Sequence, residues 1–116
     1  MKTFSQTRGN LTVIEKELPF DIKRVFYIYQ VDDSVRGKHR HHKTKQAAIC
    51  IAGKCTIYST NGTEEETFEL DHPAKCLILE PEDWHSMYNF SKDAVLLVLA
   101  SEHFDPADYI YDEYKK

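Results

Sequence analysis

From Val25 onward this chain alternates short runs of β-branched and aromatic residues with turn signals, and it shows no helical period until its extreme C-terminus. A chain punctuated in this way is expected to be all-β. VFYIYQV (Val25 to Val31) reads as one strand. QAAICIAG passes through Gly53 into KCTIYST, and Asn61-Gly62 supplies a hairpin signal before EEETFEL, so these runs are expected to pair as a meander. DHPAK turns the chain into CLILEP, and HSMYNF follows. AVLLVLAS (Ala94 to Ser101) is apolar on both faces, as suits a strand buried between layers. Turns at this spacing indicate a sandwich or barrel. With 116 residues and 41% hydrophobic content, the chain suffices for one cored domain, 1–116, and is short for two.

Acidic residues outnumber basic ones, for a formal net charge of -4, which argues against a partner recognised through a nucleic-acid backbone. MKTFSQTRGN lacks the apolar run of a signal peptide, and no stretch approaches the roughly 18 apolar residues of a membrane span, so a cytoplasmic protein is expected. Cys50, Cys55 and Cys76 lie in strand-like apolar runs without CxxC spacing. They are read as small core residues and not as a disulfide framework or thiolate zinc site.

Three of the six histidines fall within RGKHRHHK, Arg36 to Lys43. On a strand, residues two apart share a face, so His39 and His41 should face together and Arg40 and His42 away. By the same parity Gln46, Ala48, Cys50 and Ala52 form a face of mostly small residues that would leave a cavity. His85, Met87 and Asn89 share another face, which offers a third histidine to the same interior. Three histidines could hold zinc with a water in the fourth position. Without metal, a histidine pair facing a cavity suits general acid–base work, with a reference pKa of about 6.5.

The spacing His39-x-His41-x4-Gln46-x6-Gly53, followed by His85-x3-Asn89, resembles the two motifs of the cupin superfamily. Metal-binding cupins usually carry a glutamate where this chain has Gln46, an uncharged amide and a weak ligand for a divalent ion. FDIKRVFYIY, RGKHRHHKTKQ, WHSMYNFS, AVLLVLAS and the tail FDPADYIYDEY are more specific. Together they resemble the FdtA-like and QdtA-like sugar-nucleotide 3,4-ketoisomerases, over nearly all the chain from Leu18 onward. That resemblance implies a cupin-type jelly roll and a homodimer that needs no metal or other cofactor. It implies conversion of dTDP-4-keto-6-deoxy-D-glucose to a 3-keto sugar, passed to a PLP aminotransferase that makes 3-amino-3,6-dideoxyhexoses for surface glycans. Two readings remain beside it: a non-catalytic cupin that binds a sugar nucleotide, and a metal-dependent cupin enzyme.

By the resemblance, His39 is the base at carbon and His41 its partner, and Arg36, Lys38 and Arg40 nearby should favour the free-base form. Arg36 would clamp a diphosphate or stabilise an enolate. Arg24, a cation within an apolar run, needs an anion or a ligand. Tyr27 could stack on thymine or bond a sugar oxygen, or simply pack in the core. Gln46 and His85 complete the expected substrate-binding set. Gly37 permits close backbone approach or a turn. Asp105-Pro106 should open a short C-terminal helix, and the strand-like residues ahead of Leu18 could pair across a subunit interface.

Overall fold

The structure, a computed structural model, describes residues 1–115. Strands β1 (Lys2–Gln6) and β2 (Gly9–Val13) form a hairpin that, among the described residues, is a two-stranded sheet of its own. The rest of the chain supplies β3 (Arg24–Tyr29), β4 (Arg36–His41), β5 (Gln46–Ala52), β6 (Cys55–Thr60), β7 (Glu65–Leu70), β8 (Leu77–Leu79), β9 (Trp84–Tyr88), β10 (Val95–Ala100) and β11 (Tyr109–Ile110). They assemble into two antiparallel sheets, in the orders β3-β10-β5-β8 and β11-β4-β9-β6-β7. This is the all-β jelly roll expected of the sequence.

The expected meander is corrected. Only the β6–β7 hairpin joins sequence neighbours within the two large sheets, with Asn61 capping its turn through bonds from the Thr63 and Glu64 amides. At Gly53, where φ is +66°, the chain crosses from β5 in one sheet to β6 in the other instead of doubling back. A Cβ there would lie 2.8 Å from the Ala94 Cα, so glycine lets the β5–β6 corner pack against the start of β10.

Alternation along each strand then decides which side chains meet. Ala48 and Cys50 of β5 and Leu96 and Val98 of β10 face Cys55, Ile57, Leu70 and Met87 of the other sheet, with Phe26 and Ile28 packed alongside. Larger partners thus pack over Ala48 and Cys50 of β5. On the outer side of the same sheet Ala47, Ile49 and Leu99 lie under Met1, Ile14, Leu18 and Phe20. This double cover explains why β10 is apolar on both faces. All three cysteines are free, and Cys50 and Cys55 are buried in the core. The C-terminal helix is a single 3-10 turn, Pro106–Asp108, capped by the Asp105 side chain and followed directly by β11.

Candidate active site

β4 and β9 pair in the register Arg36↔Met87, Gly37↔Ser86 and His39↔His85, which leaves Lys38 unpaired. Gly37 (φ +82°) and Lys38 (φ +63°) are both left-handed, so the extra residue is a β-bulge. A bulge reverses parity. Arg36 and His39, three residues apart, therefore both lie on the face of Met87 and His85, toward the barrel interior. Gly37 also lets the strands approach, since a Cβ on it would stand 3.0 Å from the His85 carbonyl oxygen.

Three imidazoles meet on that face. The His39 ring lies 4.9 Å from those of His41 and His85, and His41 and His85 are 6.3 Å apart. In each ring Nδ1 is engaged. His39 Nδ1 lies 3.1 Å from the Gly37 carbonyl, His85 Nδ1 lies 3.1 Å from the Asp83 carbonyl, and His41 Nδ1 lies 3.1 Å from an Asp108 carboxylate oxygen. An acceptor at Nδ1 fixes the proton there, which leaves the lone pair on Nε2. The Nε2 atoms of His41 and His85 are buried without a partner.

Burial sets the charge of this cluster. Desolvation, with the neighbouring His41 adding to it, pushes His39 down to about 4. Desolvation pushes His85 down to about 3, the other two rings contributing. His41 is lowered too, first by burial, although its bond to Asp108 opposes the shift and Arg24 assists it. All three rings are free bases at neutral pH. The cause is corrected from the sequence reading: burial dominates, and Arg36, Lys38 and Arg40 are not among the groups that lower His39.

The C-terminal tail completes the site, and sequence reasoning missed the part of Asp108 in it. β11 pairs with β4 as Tyr109↔His41 and Ile110↔Arg40. This sets the Tyr109 ring 4.8 Å from His39 and 4.7 Å from His41, with Tyr111 6.1 Å from His39. Asp108, one residue before β11, accepts from His41, from the Thr44 hydroxyl and from the Lys43 amide. The tail is anchored beyond the site as well. Trp84 donates its indole N–H to the Tyr111 carbonyl, and Arg40 stacks 4.1 Å over Tyr114, whose hydroxyl donates to the Glu82 carbonyl.

The whole chain, residues 1–116, matches the family described as FdtA: WxcM-like, C-terminal. It is 42% identical over 120 residues to the TDP-4-oxo-6-deoxy-alpha-D-glucose-3,4-oxoisomerase of Aneurinibacillus thermoaerophilus, covering 99% of this chain and 86% of the relative. A variant of the 3,4-ketoisomerase QdtA from Thermoanaerobacterium thermosaccharolyticum, solved in complex with TDP-4-keto-6-deoxyglucose, superposes with a TM-score of 0.92 at 43% identity, over 96% of this chain and 83% of that one. The TDP-quinovose 3,4-ketoisomerase WlaRB from Campylobacter jejuni gives a TM-score of 0.91 at 39% identity, over 96% and 88%. The chain belongs to the FdtA family.

The remaining expected site residues of this FdtA-family chain fall into two groups. Arg24 points inward with Phe26, its guanidinium 4.5 Å from the Phe26 ring centre and 5.2 Å from that of Phe104. It makes no ion pair among the described residues, and its charge acts on His41. Gln46 is buried on the inner face of β5, and its Oε1 has no partner. Arg36 is exposed. Tyr27 is different: it is 62% exposed on the outer face of β3, its ring beside that of Tyr29. The even residues of β3 turn inward and the odd ones outward, so Tyr27 does not join the histidines, and its expected contact with substrate there is corrected. His42 is exposed and outside the cluster, as parity requires. Among the described residues no group of three or more His, Cys, Asp and Glu side chains stands in a metal-ligating arrangement, and no helix is long and apolar enough to cross a membrane.

Proposed function

We propose that this chain is a TDP-sugar 3,4-ketoisomerase that moves a carbonyl from C4 to C3 of TDP-4-keto-6-deoxyglucose by histidine acid–base chemistry. The observation that carries the reading is the convergence of three neutral imidazoles, each with its lone pair on Nε2, on one inner face within the field of Arg24. The named activities of the relatives point the same way.

The C4 carbonyl acidifies the hydrogen at C3. His39, the least enclosed of the three rings, takes that proton on Nε2 while the C–H electron pair becomes a C3–C4 double bond and O4 gains the charge. His41 passes the O3 proton to O4, giving the isomeric enolate, and the imidazolium of His39 returns a proton to C4. Protons balance, and the product is the 3-keto sugar. A base held near 4 is weak in the free enzyme, but the enolate forms beside it, and that anion stabilises the imidazolium as both charges develop. Arg24 and Arg36 stabilise the same anion or hold the diphosphate, while Gln46 and His85 bind sugar oxygens through their unpartnered atoms.

The enzyme acts as a homodimer in the cytoplasm. Support comes from the lone β1–β2 hairpin, which exposes Phe4 and Leu11, and from β3, an edge strand whose outer face exposes Val25, Tyr27 and Tyr29. We assign Tyr27 to that interface. The 3-keto product is the substrate a PLP aminotransferase needs to place an amine at C3. The test is to feed the substrate through this protein to such an aminotransferase and locate the amine by NMR. Nitrogen at C3 is expected, and an unreacted 4-keto sugar would refute the reading.

A further inference from the structure

The geometry around Asp108 points to a positioning residue for His41, a role that rests on the acid–base reading above. Asp108 lies 67 residues from His41 in sequence and is brought to it by the 3-10 turn and by β11, which pairs Tyr109 directly with His41. The carboxylate is 8% exposed and accepts four bonds from one loop. Its Oδ1 takes the Lys43 amide at 2.8 Å. Its Oδ2 takes the Thr44 hydroxyl, the Thr44 amide at 3.3 Å and His41 Nδ1 at 3.1 Å. The backbone closes the same turn, with the His42 amide donating to the Asp108 carbonyl at 3.0 Å.

Two features separate this from an ordinary loop clamp. His41 is 5% exposed, its ring lies 4.9 Å from that of His39 and 6.3 Å from that of His85, and its other nitrogen, Nε2, is buried without a protein partner. The ring is therefore held at one end and free only at the end that faces the reaction. The three donors from Lys43 and Thr44 also keep the carboxylate ionised. Burial opposes its ionisation, but the bonds from Thr44, Lys43 and His41 outweigh that and hold it below the usual carboxylate range. An ionised carboxylate can only accept, so His41 must carry its proton on Nδ1 and its lone pair on Nε2. Asp108 also offsets the charge His41 acquires each time it takes a proton from a sugar oxygen.

If Asp108 acts through His41 alone, its contribution should disappear when His41 does. We would measure kcat and KM for Asp108→Asn, His41→Asn and the double variant, and read the His41 ring nitrogens by 15N NMR in the unaltered protein. The expected result is a fall in kcat for Asp108→Asn of at least ~10-fold, bounded by the loss in His41→Asn, with KM within about 2-fold. In the His41→Asn background the same change should cost less than about 2-fold. Equal losses in both backgrounds would overturn the proposal, because Asp108 would then act independently of His41. A fully active His41→Asn would instead refute the acid–base reading beneath it. If Asp108→Asn does not fold, the 15N spectrum decides: a proton on Nδ1 supports the proposal, and a proton on Nε2 overturns it.

Discussion

Arg36 and His39 share the inner face of β4 only because Lys38 is bulged out between them. Their odd spacing would otherwise place them on opposite faces. Under the proposed function, the guanidinium and the base then belong to one site. Arg36→Ala should raise KM by roughly 10-fold or more, with a smaller effect on kcat, if the guanidinium holds the diphosphate. Steady-state kinetics decide, and an unchanged KM would return Arg36 to the solvent.

His39 and His42 test the two faces of the same segment. His39→Asn should lower kcat by about 10² to 10⁴ with modest loss of substrate affinity, because it removes a positioned base. His42→Asn should stay within about 2-fold of the unaltered protein, since His42 is exposed and lies outside the cluster. Comparable damage from both would mean the faces are assigned wrongly.

Gly37 permits both the bulge and the close approach of β4 to β9. An alanine there must hold φ near +82° and place its Cβ 3.0 Å from the His85 carbonyl. Strain of about 1–3 kcal/mol is expected from the backbone, and the displaced strand would carry His39 away from His85. Gly37→Ala should therefore lower both the melting temperature and kcat. Normal values of both would show that the strands are not constrained at this point.

The buried histidines also set the response to acid. His39, held at about 4, and His85, at about 3, each titrate near 6.5 when unfolded. Between those values the unfolded chain binds more protons than the folded one, so stability falls as pH drops from about 6.5 toward 4. Thermal melts across that range should show the loss, and His85→Asn should flatten it. For the free enzyme, the acid limb of kcat/KM should lie near pH 4, well below the ordinary histidine value, wherever the protein stays folded. A limb at 6.5 would contradict the burial of His39.

Much of this was legible in the sequence because it is local. The strands from Val25 onward, the Asn61-Gly62 hairpin and the common face of His39 and His41 follow from spacing and turn chemistry. Three things were not legible. The crossing at Gly53 looks like an ordinary turn, since nothing nearby says which sheet the next strand will join. The bulge at Lys38 leaves no mark beyond a glycine before it, yet it decides where Arg36 points. The bond from His41 to Asp108 spans 67 residues and depends on the pairing of β11 with β4, which no periodicity encodes. Tyr27 shows the complementary error, where a residue type suited to a ligand was read without fixing the phase of its strand against Arg24.

The most direct test of the central claim is proton NMR of this protein with TDP-4-keto-6-deoxyglucose in deuterated buffer, with and without EDTA. The account predicts a 3-keto sugar formed at the same rate in both samples, with deuterium at C4 to the extent that the His39 imidazolium exchanges with solvent. Absence of any product or exchange, or activity abolished by EDTA, would contradict it.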